Sequence, residues 1–236
     1  MDRDEAPATV PAVGSAATVV LLRDGLGGVE VLLAERPDRG SFAGAWVFPG
    51  GAVDDDDAEG EPLDSSGAAR RAAVRETAEE VGLAIDPEAL VEFAVWSPPE
   101  GVPKRLRTRF FASRAPEAEP VPAPAELVAT EWLRPADALA RHAGGRMTLF
   151  PPTWVTLHGL RDALSVEAVL ARLAEQGVLP FVGRFSGDRS RLFWQEDEEF
   201  AVERENTVRG EEAGESVGAR HRLLMDQLPW RYVRSF

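Results

Sequence analysis

Residues 75–83 read Arg75-Glu76-Thr77-Ala78-Glu79-Glu80-Val81-Gly82-Leu83 and end a run rich in Ala, Arg and Glu that begins at Ala68. That composition favours a helix over Ala68–Val81, and Gly82 is a natural C-terminal stop. On such a helix Glu76 lies three residues before Glu79 and four before Glu80, so the three carboxylates project from one face. Ala69, Ala72 and Ala73 share that face one and two turns earlier and leave room for a bulky ligand, while Val74, Ala78 and Val81 lie opposite and bury. Like charges at this spacing repel. An acidic face exposed to water tolerates the repulsion; a bound cation removes it. Oxygen ligands of this kind suit Mg²⁺ or Mn²⁺, held by a few carboxylates together with substrate phosphates.

Outward from this segment, Phe48-Pro49-Gly50-Gly51 makes a sharp break upstream, and Asp54–Gly67 reads as an exposed acidic loop. Ala16–Leu22 and Val29–Ala34 read as a strand pair around the turn Asp24–Gly28. Leu90–Trp96, Leu106–Ser113 and Leu127–Leu133 are further strands. Pro135 opens a short helix ending near Gly144, followed by a helix over Thr153–Leu164 with Trp154, Leu157, Leu160 and Leu164 as core. Ser165 caps another helix that turns Val166, Val169, Leu170 and Leu173 to one face. Strands and helices interleave without strict alternation, which predicts a mixed sheet covered by helices.

Composition narrows the function. With 26 basic and 40 acidic residues the net charge is −14, so neither nucleic acid nor an anionic membrane is an expected partner. The chain has no cysteine, which excludes disulfides, thiolate catalysis and cysteine-based zinc sites and fits a cytoplasmic location. His142, His158 and His221 are far apart in sequence and make no polyhistidine site. Residues 1–14 read as a loose, acidic leader without the basic start of a signal peptide, and the aliphatic runs are too short to span a bilayer. The densest basic cluster is Lys104-Arg105-Leu106-Arg107-Thr108-Arg109. As a strand it sets Arg105, Arg107 and Arg109 on one face, either solubilising a sheet edge or meeting substrate phosphates. Glu196–Glu215 reads as a solvated acidic segment, and Glu131 and His142 are further acid–base candidates.

Arg75 to Leu83, with the preceding Phe48-Pro49-Gly50-Gly51, resembles the box of the Nudix hydrolase family: Gly, five residues, Glu, seven residues, then Arg-Glu-U-x-Glu-Glu-x-Gly-U, with U apolar. Thr77 replaces the first apolar residue. Counted from Gly51 the expected Glu falls on Asp57, and counted back from Arg75 it falls on Gly67, so the loop carries a ten-residue insertion. The resemblance implies an α/β fold, the Nudix α/β/α sandwich with a mixed sheet, over residues 15–150. Residues 151–236 form a helical and short-strand extension packed on the core or across a homodimer. It further implies Glu76 and Glu80 as principal metal ligands, Glu79 assisting, the Gly50 carbonyl completing the site, and Arg75 orienting the acids.

Leu32–Arg36, then Phe42, Gly44 and Val47–Asp54, together with Arg107–Phe111, Glu131–Leu133, Ala136, Ala138, Leu139 and Pro151–Thr153, resemble the branch related to coenzyme A diphosphatases. Arg39 stands out of register with the Arg which that branch expects. The implied activity is Mg²⁺- or Mn²⁺-dependent hydrolysis of the diphosphate of a small nucleotide-type substrate, coenzyme A or acyl-coenzyme A first, ADP-ribose second. A Nudix-fold ligand sensor without turnover is the alternative outside the enzyme class; three intact acids argue against it.

Overall fold

The computed structural model describes residues 13–40, 43–102, 105–201 and 218–236. Nearly all of the expected leader, together with Phe42, Lys104 and most of the acidic run Glu196–Glu215, lies outside the described residues. Strands β1 (Gly14–Gly25) and β2 (Gly28–Glu35) form an antiparallel hairpin, with Leu22 opposite Val31 and Gly25 opposite Gly28. Next come β3 (Trp46–Val47), β4 (Gly50–Ala52), helix α1 (Asp55–Ala58) and helix α2 (Ser66–Val81). After β5 (Val91–Ser97), β6 (Leu106–Arg114) and β7 (Ala129–Leu133), the chain forms α3 (Pro135–Ala143), α4 (Pro151–Leu160) and α5 (Val166–Gln176). It closes with β8 (Leu179–Phe185), β9 (Arg191–Trp194), β10 (Arg220–Leu224) and β11 (Arg231–Ser235).

One mixed sheet runs in the order β11-β10-β9-β8-β5-β6-β1-β2-β3, with β4 also on β1 and β7 also on β2. β1 pairs in parallel with β6 along its length, so it is a central strand covered on both faces. That explains its continuous apolar run, since a strand buried on both sides needs no polar alternation. Ala17, Val19 and Leu21 pack on one face with α2, Leu32 and Phe111. Val20 and Leu22 pack on the other with α4, α5 and Phe110. Two layers of helix around one sheet give the α/β/α arrangement expected from the sequence. Among the described residues no helix is long and apolar enough to cross a membrane.

Several expectations are corrected. The Thr153–Leu164 helix starts two residues earlier, with prolines at its first positions, and ends at Leu160, leaving Leu164 83% exposed rather than in the core. Asp54–Asp57 belongs to a capped helical turn rather than an open loop, and Asp57 is buried. On α2 the alanines at 68, 69, 72 and 73 are buried against the sheet instead of leaving room for a ligand, and Ala78 is exposed. The extension continues the same sheet through parallel pairing of β8 with β5.

The acidic run expected to be solvated begins inside the protein. The Asp197 carboxylate is buried and accepts from Arg222 Nε at 2.7 Å and from the backbone N–H of His221 and Glu199, each at 2.9 Å. Burial works against its charge, but the Arg222 and backbone bonds more than compensate and hold its pKa below the ordinary value. Removing one partner of a buried pair leaves an uncompensated charge. Asp197→Ala should therefore destabilise the protein by about 3–5 kcal/mol in denaturant unfolding. Arg114→Ala, which breaks an exposed pair with Asp24, should cost less than about 1 kcal/mol.

Candidate active site

The site is built where β4 crosses the start of β1. Val19 N–H and Thr18 Oγ1 both donate to the Pro49 carbonyl, at 2.9 and 2.7 Å, fixing the turn out of β3. Gly50 follows with φ 149°, and a Cβ there would stand 2.2 Å from the Ala17 carbonyl oxygen. A Cβ on Gly51 would meet the Glu76 carboxylate at 2.3 Å. The two glycines thus have separate tasks: the first lets β4 pair on β1, and the second lets a carboxylate lie against the backbone.

Helix α2 brings the acids to that backbone. Ser65 caps it by accepting from Ala68 N–H at 3.0 Å, and the Gly82 N–H closes it on the Ala78 carbonyl. Thr77 is fully buried and donates to the Ala73 carbonyl at 2.7 Å, which satisfies its hydroxyl where the family pattern has an apolar side chain. Gly50 N–H donates to Glu80 Oε2 at 2.9 Å, and Arg36 approaches Glu80 Oε1 at 3.4 Å. The Glu80 side chain is 3% exposed, Glu76 14% and Glu79 56%, so the three acids meet water very differently. Burial pushes the Glu80 carboxyl up to about 7, against the pull of Gly50 and Arg36. Burial also raises Glu76, with the charges of Glu79 and Glu126 adding to it and Arg75 opposing.

Arg75 is the hub. It donates to Glu76 Oε1 at 3.0 Å, to Glu79 Oε2 at 3.1 Å and to the Ala52 carbonyl at 3.0 Å. Its other edge grips Asp57, Nε to Oδ1 at 3.2 Å and the terminal nitrogen to Oδ2 at 2.8 Å. These bonds, Asp57 first, hold the guanidinium firmly protonated. For Asp57 burial opposes the charge, but Arg75 and the Asp54 N–H bring its pKa below the ordinary value. The residue counted from Gly51 is therefore the one that faces Arg75, and the inserted residues fall between Asp57 and α2.

Gly50, Arg75, Glu76, Glu79 and Glu80 are thus one constellation, and Asp57, Arg36 and Glu126 join it. Glu126 precedes β7 in a loop tied to the end of α2 by Val121 N–H on the Val81 carbonyl and Ala123 N–H on the Glu80 carbonyl, both 2.8 Å. No sequence signal marks Glu126. Arg105, Arg107 and Arg109 stand apart from the acids in their contacts. They belong to an inner strand with its approach, paired to β1 and β5, not to a sheet edge. Arg109 bonds the Glu92 carboxylate and the Asp64 carbonyl, and Arg107 lies 3.9 Å from Asp64. Glu131 is forked by Arg141 at 2.6 Å, and buried His142 bonds the Met147 carbonyl at 3.1 Å, so neither contacts the acids.

Among the described residues no three acidic or imidazole groups converge as a ready-made metal cage. The donor set nevertheless fits a hard divalent cation. Glu80 is a buried carboxylate short of counter-charge, Glu76 is a partly buried one beside it, and Gly51 leaves backbone bare next to Glu76. In the structure Arg75 meets Glu76 and Glu79, and Arg36 approaches Glu80.

A family model described as NUDIX domain matches residues 13–151. The chain belongs to the Nudix family. It is a Nudix-type hydrolase. A solved NUDIX hydrolase from Alicyclobacillus acidocaldarius is 27% identical, with a TM-score of 0.63 over 69% of this chain and 97% of that one. The NUDIX domain of Shewanella oneidensis NrtR, solved with ADP ribose, is 18% identical with a TM-score of 0.51 over 67% and 93%, a likeness of fold. Among curated proteins none matches.

The pKa of Glu80 has a consequence for stability. A carboxyl at about 7 in the folded state, against 4.5 ordinarily, keeps its proton in the folded chain at pH values where the unfolded chain has released it. Its contribution is thus favourable in acid and is lost as the pH rises from 4.5 through 7, by on the order of 3 kcal/mol. Glu80→Gln should match the wild type in melting temperature near pH 4.5 and exceed it at pH 8 in metal-free buffer, and a parallel pair of curves would refute the assignment.

Proposed function

We propose that this Nudix hydrolase cleaves the diphosphate of a nucleoside diphosphate derivative in a divalent-metal-dependent reaction, with coenzyme A or acyl-coenzyme A as the substrate. The observation that carries the reading is the placement of buried Glu80 and partly buried Glu76 against the bare backbone of Gly50 and Gly51, with Arg75 bridging Glu76 and Glu79. Two carboxylates withdrawn from water, one fully and one partly, with raised pKa values are costly in a structural role and are useful where a cation docks.

Glu76 and Glu80 hold the ion in this reading, Glu79 assists from the exposed turn, and the Gly50 carbonyl completes the set. When bound, Mg²⁺ or Mn²⁺ offsets the charge of the diphosphate and makes water more acidic. Arg75 keeps the acids in place through Asp57 and the Ala52 carbonyl. Glu76, Glu79, Glu80 and Glu126 are the carboxylates available to accept a proton from the attacking water.

For the substrate, the coenzyme A reading rests on the resembling stretches and on Arg105, Arg107 and Arg109. Arg107 is exposed and only loosely paired, so it is the member of the row freest to receive a phosphate. Arg109, neutralised by Glu92 and bonded to the Asp64 carbonyl, then serves to position the strand face. ADP-ribose is the second substrate to try; it is the ligand solved with the Shewanella domain.

A panel of coenzyme A, dephospho-coenzyme A, ADP-ribose, NADH and nucleoside triphosphates, each with Mg²⁺ and with Mn²⁺, tests the reading. Cleavage of coenzyme A should dominate, vanish on chelation and return with added cation. Glu76→Gln and Glu80→Gln should each lower kcat by at least about a hundredfold, and near-normal turnover in both would remove the acids from catalysis. Arg107→Ala should raise KM for coenzyme A by roughly ten- to a hundredfold, and less for dephospho-coenzyme A, which lacks the 3′-phosphate. Brisk cleavage of ADP-ribose beside inert coenzyme A would transfer the assignment.

A further inference from the structure

The face of the sheet opposite α2 holds a cavity of about 150 Å³ between α4, α5, β5, β8 and β11. Its inner wall is apolar, with Val20, Ala94, Trp96 and Leu173 among the lining residues, and Trp96 lies flat on Phe181 with ring centroids 4.0 Å apart. Its lining also includes Arg172 and Arg234, both exposed. Neither has a carboxylate within ion-pairing distance among the described residues, in a chain of net charge −14. Both are nonetheless positioned: Arg172 donates to the Gly159 carbonyl at 3.4 Å, and Arg234 sits 4.9 Å over the Phe236 ring.

Trp96, 6% exposed, forms part of the apolar wall together with Phe181. A void of this volume with apolar walls accommodates a benzene-sized body. It is too small for a nucleotide, so it is not a second seat for the proposed substrate.

We infer that this cavity is a binding site, separate from the acids on α2, for a small monoanion with an apolar body the size of one ring or about six carbons, its anionic group held by Arg172 and Arg234. The apolar body would fill the space over Trp96. The charged end would stay at the guanidiniums, where it keeps its solvation.

Benzoate is the probe, with benzyl alcohol as its neutral counterpart, titrated into the full chain by calorimetry and by NMR of the indole N–H signals. Benzoate should bind saturably and shift the Trp96 N–H resonance, identified by its loss in Trp96→Phe. Benzyl alcohol should bind at least tenfold more weakly. The exposed double substitution Arg172→Gln/Arg234→Gln should weaken benzoate at least tenfold and leave benzyl alcohol unchanged. Glu76→Gln should leave benzoate binding intact, which separates this site from the hydrolytic one whatever the latter's substrate proves to be. Absence of saturable binding, equal affinity for the two probes, indifference to the arginine substitutions, or loss in Glu76→Gln would each overturn the inference.

Discussion

Everything around the acids depends on one constraint, the direct contact of a helix carboxylate with main chain at Gly51. A Cβ there would meet the end of the Glu76 side chain, so the carboxylate would have to swing away from β4 and lose its place beside the backbone. The contact is tolerable because Arg75 reaches the same carboxylate and ties it to the Ala52 carbonyl one residue further along β4. The glycines, the arginine and the acids are therefore one mechanical unit. It has a helix on one side and a three-residue strand on the other, and each half holds the other in position. Asp57 completes it by absorbing the remaining edge of the guanidinium, which fixes the plane of the fork.

Much of this was legible in the chain because the signals were local. Three acids within five residues must share a helix face, and aliphatic runs such as Ala16–Leu22 and Val29–Ala34 around a turn make a strand pair, although burial of the first on both sides shows only in the fold. Ser65, Gly82, Pro135 and Ser165 mark helix ends by chemistry that needs no tertiary context. What failed was long-range. The alanines of α2 look like space on a helical wheel, and only the sheet beneath them shows that they are small so that the helix can approach closely. Leu164 has helical spacing with Leu157 and Leu160, but the helix stops before reaching it. The guanidinium row looks like an edge because its alternation is polar; β1 and β5 are what pair it inside the sheet. Asp57 was one of two positions counting allowed, and the choice required knowing on which side of it the insertion fell.

The same distinction separates the two buried charge systems. At Asp197 the charges are matched: a guanidinium and two backbone N–H groups face one carboxylate, and the resulting pKa is depressed. At Glu80 one backbone N–H and a more distant Arg36 face a more deeply buried carboxylate, and its pKa is raised. The first is a structural pair whose energy is settled on folding. The second leaves its charge incompletely answered by the protein, which is the electrostatic condition for recruiting something from solution. Deeper burial and a smaller supply of donors together set Glu80 apart.

The sheet links these parts. β5 is the strand at which the family-matched region meets the extension: β6 pairs on one side of it and β8 on the other. Its side chains divide accordingly. Glu92 is engaged by Arg109 on the face where α2 lies, while Ala94 and Trp96 line the cavity beneath α5 on the opposite face. The bulge between Glu92 and Ala94 gives the strand this change of register. A shift of β5 along β8 would therefore move the cavity wall and the Glu92–Arg109 pair together, since both ride on the same seven-residue strand. Without the extension β5 would be an edge strand exposing unpaired backbone groups. With it, the edge is protected and the sheet gains a second face against which apolar groups can pack.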